Sequence, residues 1–149
     1  MMPEKKKEDS LLFVNYHTCL PLIFSPAEER FILQMVSIEL HKQKGLFVPR
    51  GRAAHMKQMQ LTEYAFDKCI SKLIKLRLLS KRNNKKCNRV YYYFDLQVYD
   101  QLLKILSLDI RRETLSEFCR INFIEKCRPI DSITNEELGN LCDDAEITP

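Results

Sequence analysis

Between Arg50 and Arg89, twelve lysines and arginines stand against two acids, Glu63 and Asp67, a local excess of +10 in a 149-residue chain whose formal net charge is only +4. Cations gathered on that scale neutralise a row of closely spaced anions, and the phosphates of a nucleic-acid backbone are the commonest such row. The flanks do not share the excess: residues 1–49 balance at six bases and six acids, and residues 90–149 carry six bases against twelve acids. The densest stretch is SKRNNKKCNRVYYYF, residues 80–94, in which Lys81, Arg82, Lys85, Lys86 and Arg89 have no acid among them and lead into the aromatic run Tyr91–Phe94. A charge run is ordinarily a solvated face, so what matters is whether the fold gathers these cations on one surface.

Two elements are expected to hold them. Leu78–Arg82 and Arg89–Phe94 read as strands joined by Asn83–Asn88, where asparagine tolerates the positive φ of a hairpin turn. Alternation places Val90, Tyr92 and Phe94 on one face and Tyr91 and Tyr93 on the other. Tyr92 and Phe94 are assigned to packing on the core rather than to base stacking, because aromatics are good strand formers in any case. Upstream, Thr62 is an N-cap for a helix through about Leu76, in which Phe66, Cys69, Ile70, Leu73 and Leu76 recur at three- and four-residue spacing. Its other face carries Tyr64, Lys68, Ser71 and Lys75, with Lys72 beside them, so a basic, hydrogen-bonding stripe is presented outward.

The remaining elements frame these two. Ser25-Pro26-Ala27-Glu28 is a capping box with proline at the first helical position, opening a helix expected to run to about Lys44 and to end at Gly45. On it Arg30, Gln34, Ser37 and His41 form one wet stripe and apolar residues fill the rest. The preceding LLFVNYHTCLPLIF is apolar but broken by Pro21, which favours an extended segment. Leu46-Phe47-Val48 is a short β-type run, and a short helix after it has Ala53, Ala54, Met56 and Met59 as expected buried positions, ending near Gln60. Gln97–Ser107 and Arg111–Lys126 read as helices with a break around Leu108–Ile110, the second carrying Leu115, Phe118, Cys119, Ile121 and Ile124. Beyond Pro129 the chain is acidic, with Thr134–Glu137 as a second capping box. The expected organisation is an extended leader over 1–24, a helix-and-hairpin unit over 25–95, C-terminal helices over 96–127 and an acidic tail over 128–149.

Several function classes are disfavoured. No apolar run approaches the length of a membrane span and no secretion signal is recognised, so a cytoplasmic location is expected. The six cysteines are irregularly spaced, without a C-x-x-C pair, and the three histidines are scattered, so reduced thiols are expected rather than a disulfide framework or a zinc site. With three glycines there is no phosphate-cradling loop, and no nucleophile elbow or H-E-x-x-H is present; neither catalysis nor a cofactor is expected.

The order helix, short strand, helix, turn, helix, hairpin over Ser25–Phe94 resembles that of winged helix-turn-helix domains. The most specific part is MKQMQLTEYAFDKCISKLIKLRLLSKRNNKKCNRVYYYF, in which Leu61-Thr62 take the place that opens the recognition helix, Lys72-Leu73 with Leu78 the place that closes it, and Lys81–Arg89 that of the wing. Arg77 departs from the pattern, which usually has glycine before the leucine that starts the wing. The resemblance implies a mainly α fold with a small β-hairpin followed by C-terminal helices, and a protein that binds double-stranded DNA as a transcriptional regulator. The helix over 62–76 would enter the major groove, Tyr64 and Lys68 facing base edges with Ser71 on the same DNA-binding face, Lys72 and Lys75 nearer phosphates, and Thr62 capping and touching the backbone. Arg82, Lys85, Lys86 and Arg89 would lie on the backbone or in an adjacent minor groove, while Arg50, Arg52 and Lys57 would clamp the other flank. The C-terminal helices could pair two copies, as in regulators of the MarR type, or pack within one chain. Two alternatives stay open: a replication initiator or accessory factor of a plasmid or phage, and a winged-helix module that binds an acidic protein.

Overall fold

The structure, a computed structural model, describes residues 20–45, 51–86 and 89–147. It is mainly helical with one small antiparallel hairpin, and it divides into two compact units, Phe24–Leu96 and a second formed by residues up to Ile23 with Gln97–Pro149. The expected Leu46–Val48 strand and most of the N-terminal leader lie outside the described residues. No helix among those described is long and apolar enough to cross a membrane.

The first unit opens with α1, Pro26–Gln43. Its capping box is complete, for the Ser25 hydroxyl accepts the Glu28 amide at 3.3 Å and the Glu28 carboxylate accepts the Ser25 amide at 2.9 Å. Such a cap contributes about 1 kcal/mol. Phe31, Ile32, Met35 and Val36 are buried, whereas Arg30, Ser37 and His41 are exposed and Gln34 reaches Gln58 at 2.7 Å. The helix closes at Lys44, followed by Gly45 with φ 77°, a left-handed position that glycine fills without strain.

Helix α2, Arg52–Met59, corrects the expected burial pattern. His55 and Met59 are buried, Met56 is half-buried, and Ala53 and Ala54 are exposed. Two turns offer too few positions for periodicity to set the phase, and in the structure the His55 ring meets Tyr92 edge-on at 5.9 Å. A polar residue thereby takes a core place that small apolar residues were expected to fill.

Helix α3, Glu63–Lys75, leads through a tight turn into β1, Leu79–Asn84, which pairs antiparallel with β2, Arg89–Phe94, in the register Leu79 to Phe94 through Asn84 to Arg89. The turn is a Schellman motif: the Leu78 amide donates to the Leu73 carbonyl at 2.9 Å and the Arg77 amide to Ile74 at 3.0 Å, with Leu73 and Leu78 both fully buried. Arg77 holds φ 69°, the left-handed conformation in which glycine is at ease and arginine is strained. The irregularity at Arg77 therefore leaves the turn intact. Arg77→Gly is expected to stabilise the fold by about 0.5–1 kcal/mol, the relief of the left-handed strain less the extra chain entropy of glycine, measured as a rise in the urea midpoint at constant slope.

In the second unit, α4 spans Leu96–Leu106, with Val98, Tyr99, Leu102, Leu103, Ile105 and Leu106 buried. Helix α5, Arg112–Cys119, runs on as a π-helical stretch, Arg120–Glu125. Its buried stripe is Leu115, Cys119, Asn122 and Phe123, and Ile124, expected inside, is 44% exposed because it lies one step beyond that stripe. Arg128 then ties the segment together, donating to Asn122 Oδ1 at 2.9 Å, the Ser132 carbonyl at 3.2 Å and the Glu137 carboxylate at 3.1 Å. The acidic stretch after Pro129 folds as a short 3-10 turn and α6, Asn135–Ile147, with Ile130, Ile133 and Leu141 buried. Thr134 and Glu137 cap α6 reciprocally, amide to carboxylate at 3.0 Å and amide to hydroxyl at 3.1 Å.

Candidate nucleic-acid interface

Helix α3 divides cleanly by chemistry. Thr62 caps it, its hydroxyl accepting the Ala65 amide at 3.2 Å, and Phe66, Cys69, Ile70 and Leu73 are buried on the inner side. Cys69 is a buried packing group, and burial pushes its thiol up to about 11. On the outer side Tyr64, Lys68, Ser71 and Lys75 are all exposed, Tyr64 to 70%. The Lys68 ammonium lies 4.9 Å from the Tyr64 ring centroid, and its pKa is raised, chiefly by its interaction with the Tyr64 side chain. An exposed tyrosine is thus held against a lysine one turn along, a flat group and a cation on one projecting face.

Two other cations expected at the interface are engaged within the fold. Lys72 donates to Glu28 at 2.9 Å, both side chains largely covered, and its ammonium lies 5.1 Å from the Phe24 ring centroid. Arg52 donates to Asp67 at 2.6 Å, lies 3.9 Å from Glu63, and places its guanidinium 5.2 Å from the Phe66 ring centroid. The hydrogen bond to Arg52 lowers the Asp67 pKa, and the same bond raises that of Arg52. The only two acids of the basic segment therefore face a cation that bridges α2 and α3. Lys57 remains exposed and lines, with Arg52, Met56 and Leu61, an open groove of about 520 Å³ between α2 and the start of α3.

The hairpin continues the basic surface. Lys81, Arg82, Lys85 and Lys86 are exposed. Its inner face is apolar as expected: Tyr92 and Phe94 are buried, Tyr92 meets Phe66 edge-on at 5.8 Å, and the Phe94 amide donates to Glu39 at 3.2 Å, which fastens β2 to α1. On the outer face Tyr93 is 39% exposed, with the Lys42 ammonium 4.6 Å and the Arg82 guanidinium 5.1 Å from its ring centroid.

Of the expected site residues, Tyr64, Lys68, Ser71 and Lys75 share one helix face, with Thr62 at its start; Arg82, Lys85 and Lys86 lie on the hairpin. Arg50 and the side chain of Arg89 lie outside the described residues. Tyr93, which the alternation of β2 marked as outward, is an addition to the expected set; Lys42 beside it donates to Glu39 at 3.1 Å, both side chains largely covered, and is engaged within the fold as Lys72 is. Among the described residues no group of three or more His, Cys, Asp or Glu is placed to hold a metal ion. The chain matches no family model, and comparison with curated proteins and with solved structures likewise returns no match.

Proposed function

We propose that this protein binds double-stranded DNA through α3 and the hairpin, as a winged helix-turn-helix regulator of transcription. The observation that carries the reading is the outward face of α3: a helix buried along one side presents Tyr64, Lys68, Ser71 and Lys75 along the other and runs by a tight turn into a hairpin whose exposed cations have no acid among them. An α-helix about 10–12 Å across fits a B-DNA major groove about 12 Å wide. In that pose Tyr64, Lys68 and Ser71 face base edges, Lys75 and Thr62 face phosphates, and Arg82, Lys85 and Lys86 follow the backbone or an adjacent minor groove. The rings of Tyr92 and Phe94 serve the core and leave base contact to the helix.

Phosphate contacts supply a salt-dependent, sequence-independent affinity, which makes the test direct. Anisotropy titration of a random-sequence duplex of about 25 base pairs across a salt series is expected to give a steep slope of log K against log salt, and Lys85→Ala/Lys86→Ala is expected to flatten it by about 1.8, which is about 0.9 for each phosphate no longer neutralised. Absence of binding at low salt would overturn the reading and direct the basic face to an acidic protein. The replication-initiator reading shares this surface and is separated by where in a genome the selected sites fall.

A further inference from the structure

We infer that Lys72 is a positioning residue: its ion pair with Glu28 braces α3 against the first turn of α1 and so sets how the outward face of α3 is presented. The inference rests on the DNA-binding reading and reassigns one of its lysines. Lys72 belongs to the basic segment by sequence, yet its side chain is only 20% exposed and that of Glu28 16%, with 2.9 Å between ammonium and carboxylate. The carboxylate oxygen that accepts Lys72, Oε1, also accepts the Ser25 amide at 2.9 Å, so one acid closes the capping box of α1 and holds the last turn of α3. Below the ammonium lies the ring of Phe24, itself buried, at 5.1 Å.

A largely covered ion pair with a ring beneath it and a second hydrogen bond on the acid does not give up its lysine to a phosphate without leaving the acid uncompensated. Lys68 and Lys75, one turn to either side in the stripe, are exposed, and neither is held by a covered carboxylate in this way. The division of labour is therefore within one helix: Lys68 and Lys75 meet DNA, and Lys72 keeps the helix at its angle.

The two roles predict opposite signs. If Lys72 held a phosphate, Glu28→Gln would release it, strengthening duplex binding and steepening the salt slope, while Lys72→Met would flatten the slope by about 0.9. If Lys72 is a brace, Glu28→Gln and Lys72→Met each weaken duplex binding by a similar factor, about fivefold, at every salt concentration, with the wild-type slope retained and Lys72→Arg restoring affinity to within about twofold. The same variants and their double are carried through urea unfolding without DNA. A coupling between positions 28 and 72 of about threefold or more in the unfolding constant is expected, and additive effects overturn the brace. A wild type that binds no duplex overturns the DNA reading alone, and the unfolding cycle then decides the brace by itself.

Discussion

Phe66→Ala is expected to cost the first unit about 3–5 kcal/mol, the range for truncating a buried phenylalanine. Phe66 is fully buried and is the hub of the unit: Phe31 of α1 lies 5.3 Å from its ring centroid, Tyr92 of β2 meets it edge-on at 5.8 Å, and the Arg52 guanidinium of α2 lies at 5.2 Å. Removing the ring opens a cavity where helix, hairpin and the Arg52 bridge converge, and it forfeits two aromatic pairs worth about 0.5–1.5 kcal/mol each beyond area. Against a typical total of about 5–15 kcal/mol, that loss brings a unit of this size close to unfolding. The measurement is chemical denaturation with hairpin and helix signals followed separately. A cooperative loss of both is expected, and Phe66→Leu, which keeps most of the volume, is expected to retain the fold at a smaller cost.

Lys68→Ala/Lys75→Ala is expected to weaken duplex binding by about 50–100-fold at about 0.1 M salt while leaving the unfolding midpoint near that of the wild type. The size follows from counterion release: each neutralised phosphate adds about 0.9 to the salt slope, hence close to a factor of ten at about 0.1 M, and the curves of variant and wild type converge as they are extrapolated towards about 1 M. Stability is spared because both side chains are exposed on the far side of α3 from Phe66, Cys69, Ile70 and Leu73. Tyr64→Ala is the companion variant. On the proposed reading Tyr64 faces base edges, so its removal is expected to relax sequence preference with little change in slope, and competition between specific and random duplexes separates its role from that of the lysines. If the double variant binds as the wild type does, α3 is not the face that meets DNA.

What this chain shows to a reader of its residues alone is everything set by short-range chemistry. Ser25 with Glu28, Thr62 with Ala65, and Thr134 with Glu137 are caps built within four residues, and each forms. The inward stripe of α3 and the two faces of β2 follow from repeats of about 3.6 and 2, and Phe66, Leu73, Tyr92 and Phe94 are buried where those repeats put them. Tertiary structure decided the rest, because a period says which side of an element faces inward and not what it will meet there. Over the two turns of α2 even the side was undetermined, and His55 lies inside, its ring edge-on to that of Tyr92, thirty-seven residues on. Whether the +10 segment forms one surface could not be read along the chain; folding sorted it by partners far away in sequence, Lys72 to Glu28 forty-four residues back and Arg52 to Asp67 fifteen ahead, while Lys68, Lys75, Lys81, Arg82, Lys85 and Lys86 are exposed. Charge can be counted along a chain, but which charges remain for a ligand depends on the acids that three-dimensional packing brings within hydrogen-bond reach of them.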